Sequence, residues 1–133
     1  MNNNPIVHVV VGVLLNDNQQ VLIALRPVQS HQGGLWEFPG GKVEEGESVE
    51  YALNREFEEE LGISVLACTE LTQIRHEYSD KSVLLDVWRI EKYSGTPKGR
   101  EGQVIEWRAL SKLRAEDFPK ANERIIRVLN GSN

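Results

Sequence analysis

Four carboxylates crowded into five positions, Glu56, Glu58, Glu59 and Glu60, are the residues whose type and spacing most invite chemistry. The surrounding pattern puts them on a helix. Val49, Ala52, Leu53, Phe57 and Leu61 recur at helical spacing, Ser48 stands where an N-cap belongs, and Gly62 is a natural C-terminal stop. The glutamates therefore occupy the last turns, where unsatisfied carbonyls carry partial negative charge. Each exposed carboxylate there is disfavoured by about 0.3–1 kcal/mol. Rotation adds a second conflict. At about 100° per residue, Leu53, Glu56 and Glu60 fall within about 40° of Val49, so two carboxylates share the stripe that should meet the core. Glu59 lies beside that stripe and Glu58 opposite it, facing water.

A solvated acidic face accounts for Glu58 but not for Glu56 and Glu60. Unpaired carboxylates pointing inward would cost several kcal/mol or take up a proton. Arg55 has one charge to offer three of them. A hard divalent cation removes both conflicts, because it takes oxygen ligands, offsets the helix end and favours ionised carboxylates. Positions i, i+3 and i+4 place Glu56, Glu59 and Glu60 around one point. Few-carboxylate sites of this kind suit Mg²⁺, with Mn²⁺ as the alternative. Zinc does not fit, since His8, His31 and His76 show no ligand spacing and Cys68 has no second cysteine. A calcium-binding loop does not fit either, for want of oxygen ligands in series.

The charge distribution points to the same segment. The chain of 133 residues carries a net charge of −5. From Lys42 to Glu60 there are eight glutamates against Lys42 and Arg55, while the rest of the chain holds 13 basic and 12 acidic residues. A field so concentrated repels a polyanion unless a cation lies between them.

The elements that must position these residues can be read coarsely. Ile6–Leu15 and Gln20–Arg26 read as strands around a hairpin turn at Asn16-Asp17-Asn18. Pro27–Leu35 reads as a loop, and Phe38-Pro39-Gly40-Gly41 as a tight turn. After the acidic helix, Ile63–Glu77 and Ser82–Glu91 read as strands joined at Ser79-Asp80. Lys92–Gly102 reads as a loop, Val104–Leu110 as a short strand, and Glu123–Leu129 as a closing helix with a possible start at Pro119. Hairpins together with a crossover through a helix indicate a mixed sheet covered by helices. With no repeat and no linker composition, residues 1–133 read as one domain.

The series Gly41-x5-Glu47-x7-Arg55-Glu56-Phe57-x-Glu59-Glu60-x-Gly62-Ile63 spans twenty-three positions and resembles the signature of the Nudix hydrolases. The one departure is Phe57, where the family usually has a smaller aliphatic residue. The resemblance implies an α/β/α sandwich, with a mixed sheet between helices. It also implies Mg²⁺-dependent hydrolysis of a nucleoside diphosphate linked to another group. By position it makes Glu56, Glu59 and Glu60 metal ligands, with the Gly40 carbonyl as a backbone ligand. Glu47 and Arg55 become the residues that orient the carboxylates.

Outside the motif, Glu37-Phe38-Pro39-Gly40-Gly41-Lys42, Glu101-Gly102-Gln103, Glu106-Trp107, Asp117-Phe118-Pro119 and Ala121-Asn122-Glu123 resemble the Nudix branch that removes oxidised guanine nucleotides. In that branch the residue matching Asn122 reads the base. The chemistry is sound: 8-oxoguanine has an acceptor at O6 and a hydrogen on N7, which one amide meets with its donor and its acceptor. Ordinary guanine offers acceptors at both positions and leaves a mismatch. Read without the resemblance, Asn122 is more readily a helix cap, and the resemblance reverses that preference. The resemblance further implies that Arg26 and His31 contact the nucleotide and that Phe38 and Pro39, beside Glu37, wall the base site. Glu101 would ligate a second metal or assist the attacking water; between Glu56 and Glu101 the general base stays open. Trp36, Trp88 and Trp107 read as core. The implied reaction is attack of water on the β-phosphorus of 8-oxo-dGTP, giving 8-oxo-dGMP and pyrophosphate. Other Nudix substrates (ADP-ribose, a dinucleotide, a modified pyrimidine triphosphate) are the competing reading, and a non-catalytic nucleotide-binding module is a third.

Composition bounds the rest. No apolar run approaches the ~18 residues of a membrane span. A single cysteine fits a reducing, cytoplasmic setting, and no basic stripe suggests duplex nucleic acid. A monomer acting on a free nucleoside triphosphate is the expectation.

Overall fold

The computed structural model describes residues 5–27 and 33–131. In chain order the elements are β1 (Ile6–Leu14), β2 (Gln20–Leu25), β3 (Trp36–Glu37), β4 (Gly40–Lys42), α1 (Val49–Leu61), β5 (Ser64–Glu77), β6 (Ser82–Ser94), β7 (Ile105–Ala109) and α2 (Glu123–Leu129). Single 3₁₀ turns at Leu110–Lys112, Ala115–Asp117 and Lys120–Asn122 fill the approach to α2. The strands form two sheets. One is mixed, in the order β4-β1-β6-β5, with β1 and β6 parallel; the other is antiparallel, in the order β3-β2-β7.

The alternation of β1 shows how the layers assemble. Val11 and Val13 point to one side of the sheet, where they join Leu85, Val87, Phe118, Ala121, Ile125 and Ile126. Val10 and Leu14 point to the other, where they meet Leu53, Phe57, Leu61, Trp88 and Ile90. A strand buried on both faces reads as a near-continuous valine run, as Val9-Val10-Val11 does. Helix α1 thus covers one face of the sheet, and α2 with its preceding turns covers the other. This is the mixed sheet between helices that the sequence indicates, with β2, β3 and β7 set apart in a sheet of their own. Leu53, Phe57 and Leu61 are fully buried, each contributing about 1.5–3 kcal/mol by leaving water. Phe57, the one departure from the family pattern, is accommodated because Gly12 presents only backbone beneath its ring.

Three local expectations change. Phe38-Pro39-Gly40-Gly41 is not a free turn: a bend at Pro39 links β3 to β4, and Gly40 and Gly41 lie opposite Val11 and Val10 of β1. A side chain on Gly40 would run into the Val10 carbonyl, so only glycine lets β4 lie this close. Strand β6 continues to Ser94, through residues that read as loop, because bulges in β5 keep the hairpin paired as far as Ser64 opposite Ser94. Helix α2 begins at Glu123, and the segment from Pro119 is a 3₁₀ turn rather than helix. Cys68 is partly buried, and burial raises its thiol pKa. Asp86 is a buried carboxylate on β6; it is paired with His8 Nε2 at 3.0 Å and accepts from Trp88 Nε1 at 2.9 Å. Among the described residues no helix is long and apolar enough to cross a membrane.

Candidate active site

Helix α1 delivers the acidic cluster, and its two ends are held differently. At the start the Ser48 hydroxyl accepts from the Tyr51 amide at 3.1 Å. At the finish Gly62 sits at φ 71°, and its N–H reaches the Glu58 carbonyl at 3.0 Å. The last turn carries no basic residue of its own. The loop between β6 and β7 supplies one: Arg100 Nη1 donates to the Glu58 carbonyl at 3.1 Å, and the Arg100 backbone N–H donates to the Glu60 carbonyl at 3.0 Å. The cation that complements the helix dipole therefore comes from about forty residues downstream.

On the side of α1 facing the sheet, Arg55 organises the carboxylates. Its Nε and Nη2 grip Glu47 at 2.6 and 2.9 Å, its Nη1 donates to Glu56 at 2.8 Å, and Nη2 also donates to the Lys42 carbonyl at 3.0 Å. The bidentate grip keeps the Glu47 carboxyl below its ordinary range and holds the guanidinium protonated well beyond its own. Glu59, half-exposed, is reached by Arg55 Nη1 at 3.5 Å, and Glu58 faces water.

Glu60 is the outlier. Its Oε2 is buried without a hydrogen-bond partner. Burial is the main reason its pKa is pushed up to about 9; the hydrogen bond and charge of Glu56 add to this, as do the charges of Glu37 and Glu101. Four carboxylates are thus close enough to feel one another. Among the described residues no three acidic, histidine or cysteine side chains already form a ligating cluster, and Arg55 pairs with both Glu56 and Glu59. The donor set still fits a hard divalent cation. It is all oxygen, it leaves one buried carboxylate oxygen orphaned, and its crowding raises the pKa in the way a cation would reverse.

Glu56 is also pressed against backbone. A Cβ built on Gly41 would lie 2.3 Å from the Glu56 carboxyl carbon. Gly41→Ala is expected to displace that flexible carboxylate at little cost to folding, lowering kcat by about 10–100-fold while Tm stays within about 2 °C. Thermal melts and steady-state rates on the variant check both halves.

Gly41 borders a cleft of about 740 Å³, lined among others by Arg26, Glu37, Phe38, Gly40 and Asn122. Arg26 Nη1 donates to Glu37 at 2.5 Å, and the buried Phe38 ring stacks on Phe118 at 5.1 Å between centroids. Pro39 is buried, and its carbonyl accepts from the Gly12 amide at 2.9 Å. Asn122 occupies the N-cap position of α2 in a helical conformation, and its side chain makes no capping hydrogen bond. The structure therefore brings Arg26, Glu37, Phe38, Gly40 and Asn122 together around one cleft. Glu56 packs against Gly41 of its wall, Arg55 bonds the Lys42 carbonyl there and carries Glu47, and the charges of Glu56, Glu37 and exposed Glu101 act on Glu60. His31 lies outside the described residues.

Sequence reasoning passed over one wall of the cleft. Tyr78, Ser79, Asp80 and Lys81 line it, and they register in the sequence only as a connector between strands. Turn residues announce a reversal of the chain, but not what the reversal faces. Trp36 and Trp107 pack against the two cores and Trp88 is buried, so none of the three lines the cleft.

With this geometry in view, comparison with known proteins is informative. A model described as the NUDIX domain matches residues 10–128. The 8-oxo-dGTP diphosphatase of Escherichia coli K12 is 40% identical over 121 residues, covering 91% of this chain and 94% of that protein. The CTP pyrophosphohydrolase of the same strain is 40% identical over 98 residues, covering 74% of this chain and 73% of that protein. Among solved structures, MutT from a study of Aliivibrio salmonicida and Vibrio cholerae superposes with a TM-score of 0.81 at 37% identity, covering 95% of this chain and 98% of that one. The match spans most of the chain in sequence and in fold, and the acidic helix falls within it: this protein belongs to the Nudix family.

Proposed function

We propose that the protein is a nucleoside triphosphate pyrophosphohydrolase that converts 8-oxo-dGTP to 8-oxo-dGMP and pyrophosphate, with Mg²⁺ as its working metal. The observation that carries the substrate is Asn122: its amide is unused by the helix it precedes and lines the cleft beside Phe38. A donor and an acceptor held side by side match O6 and N7–H of the oxidised base and mismatch N7 of guanine.

The residues divide the work as follows. Phe38, braced by Phe118, forms an apolar wall for the base. Arg26, ion-paired with Glu37, lines the cleft and faces the nucleotide, and Lys42 and Lys81 border the same space. Glu56, Glu59 and Glu60, together with the Gly40 carbonyl, are the residues that would hold the metal. When bound, the cation neutralises the phosphate chain and acidifies water. Glu47 and Arg55 keep Glu56 oriented. Glu56 or Glu101 accepts the proton from the water that attacks the β-phosphorus; the bond from that phosphorus to the bridging oxygen of the α-phosphate breaks, 8-oxo-dGMP leaves, and the water oxygen departs in pyrophosphate. The product returns a mispairing precursor to a form no polymerase can use, which is sanitation of the nucleotide pool and protection from mutation. The protein acts as a monomer in the cytoplasm, on free nucleotides.

A second reading has its own support, since a relative of equal identity is named for CTP. Pyrophosphate release with Mg²⁺ across dGTP, 8-oxo-dGTP, CTP, ADP-ribose and a dinucleoside polyphosphate separates the two. Preference for 8-oxo-dGTP by orders of magnitude supports the first; a dominant pyrimidine triphosphate replaces it with the second.

A further inference from the structure

The loop between β6 and β7 does more than neutralise the end of α1. Three of its amides, at alternate positions, are hydrogen-bonded, two of them to the end of α1. The Lys98 amide donates to the Leu61 carbonyl at 3.0 Å, the Arg100 amide to the Glu60 carbonyl at 3.0 Å, and the Gly102 amide to the Gly99 carbonyl at 3.1 Å within the loop. Gln103 follows directly. Its Nε2 donates to the Glu60 carbonyl at 3.0 Å, and its Oε1 accepts from the Glu101 amide at 2.9 Å. One planar amide therefore ties the backbone of Glu60, the buried carboxylate of the cluster, to the backbone of Glu101, the carboxylate on the loop.

We propose that Gln103 is a positioning residue that sets where Glu101 stands relative to the carboxylates of α1, and so determines metal affinity and turnover without touching substrate. The inference rests on the proposed hydrolase reading. Glu101 is exposed and sits between Gly99 and Gly102, in a stretch whose backbone has little intrinsic stiffness. The amides of Arg100 and Gly102 on either side are tied to Glu60 and Gly99, and the amide of Glu101 itself goes to Gln103. Both functional ends of the Gln103 amide are in use, so the group cannot rotate without releasing the backbone of Glu60 or that of Glu101. A purely architectural role fits the pattern poorly. The Glu60 carbonyl keeps the Arg100 amide as a donor when Gln103 is removed, and the Glu101 amide lies at the surface where water replaces the lost acceptor. Folding should scarcely register the loss, whereas the placement of Glu101 should.

The test is Gln103→Ala, alone and in a Glu101→Gln background, read in four ways. Expected are a fall in kcat of about 10–100-fold with KM for 8-oxo-dGTP within about threefold, and Tm within about 2 °C. In the Glu101→Gln background the same substitution should have no further effect on kcat. Without substrate, Mg²⁺ titration should show weakened binding, and the Glu101 amide should exchange with solvent at least about fivefold faster. Undiminished kcat and Mg²⁺ affinity in Gln103→Ala, or an equal loss with and without Glu101, overturns the inference. If the wild type cleaves none of the nucleotides, the hydrolase reading fails separately, and Mg²⁺ affinity with amide exchange still decides whether Gln103 places Glu101.

Discussion

Glu60→Gln is expected to abolish hydrolysis and, at the same time, to make the metal-free protein more stable above neutral pH. Both effects follow from one carboxyl. Its Oε2 is buried without a partner, and its pKa is raised from 4.5 to about 9, first by burial and then by Glu56. A carboxyl whose folded pKa lies above its unfolded one keeps its proton in the folded chain while the unfolded chain has released it. The folded state then binds more protons, so stability falls as pH rises across the window from 4.5 toward 9. Glutamine has the shape of the protonated acid and no proton to lose, so that slope disappears. In EDTA at pH 8 the variant should melt at least about 4 °C above wild type, the shift that roughly 1 kcal/mol produces in a domain of this size. Near pH 4.5 the two should converge.

The loss of activity has the opposite origin. A divalent cation held at this site would favour the ionised form of Glu60, whose charge an amide cannot supply. Losing several kcal/mol of charge stabilisation in the transition state corresponds to about 10²–10⁴-fold in kcat/KM. Wild type should release a proton on binding Mg²⁺ at pH 7, seen by calorimetry in buffers of different ionisation enthalpy, and Glu60→Gln should not. A variant retaining activity within tenfold of wild type, or a metal-free melting curve with unchanged pH dependence, would remove Glu60 from the metal site.

The second large effect is on selectivity. Asn122→Ala should reduce the preference for 8-oxo-dGTP over dGTP by about 10²-fold, the worth of one buried donor–acceptor pair at 1–3 kcal/mol. Most of that change should come from slower hydrolysis of the oxidised nucleotide, because dGTP never satisfied the amide. The structure adds a control that the sequence alone does not offer. As a helix cap, Asn122 would contribute about 1 kcal/mol, and its loss would lower Tm by several degrees. Its side chain makes no capping hydrogen bond, so Tm should move by less than about 2 °C. An unchanged ratio of the two rates excludes base reading by Asn122, whatever the melting curve does.

Much of this molecule was legible in one dimension because it depends on local rules. Helix α1 was readable from Ser48 to Gly62, since caps and a 3.6-residue apolar period act within a few turns. The same period exposed Glu56 and Glu60 as carboxylates on a core-facing stripe, a conflict visible without coordinates because it sets two local preferences against each other. The valine run of β1 announced a strand, and the packing showed it buried on both sides. What the sequence could not decide was anything set by partners far along the chain. That Gly40 and Gly41 form a strand rather than a turn depends on β1 passing alongside, some thirty residues earlier. That Asn122 leaves its cap unused and faces a cleft depends on Phe38 and on the 78–81 reversal meeting it there. The countercharge missing from the last turn of α1 arrives from Arg100, and Gln103 joins the backbones of two acidic residues 41 positions apart. Local spacing determined which groups the protein brings to the chemistry, because helix and strand periods are intrinsic to the chain. Only tertiary packing decided where those groups stand relative to one another, because contacts across long loops are selected by the whole core rather than by any segment of it.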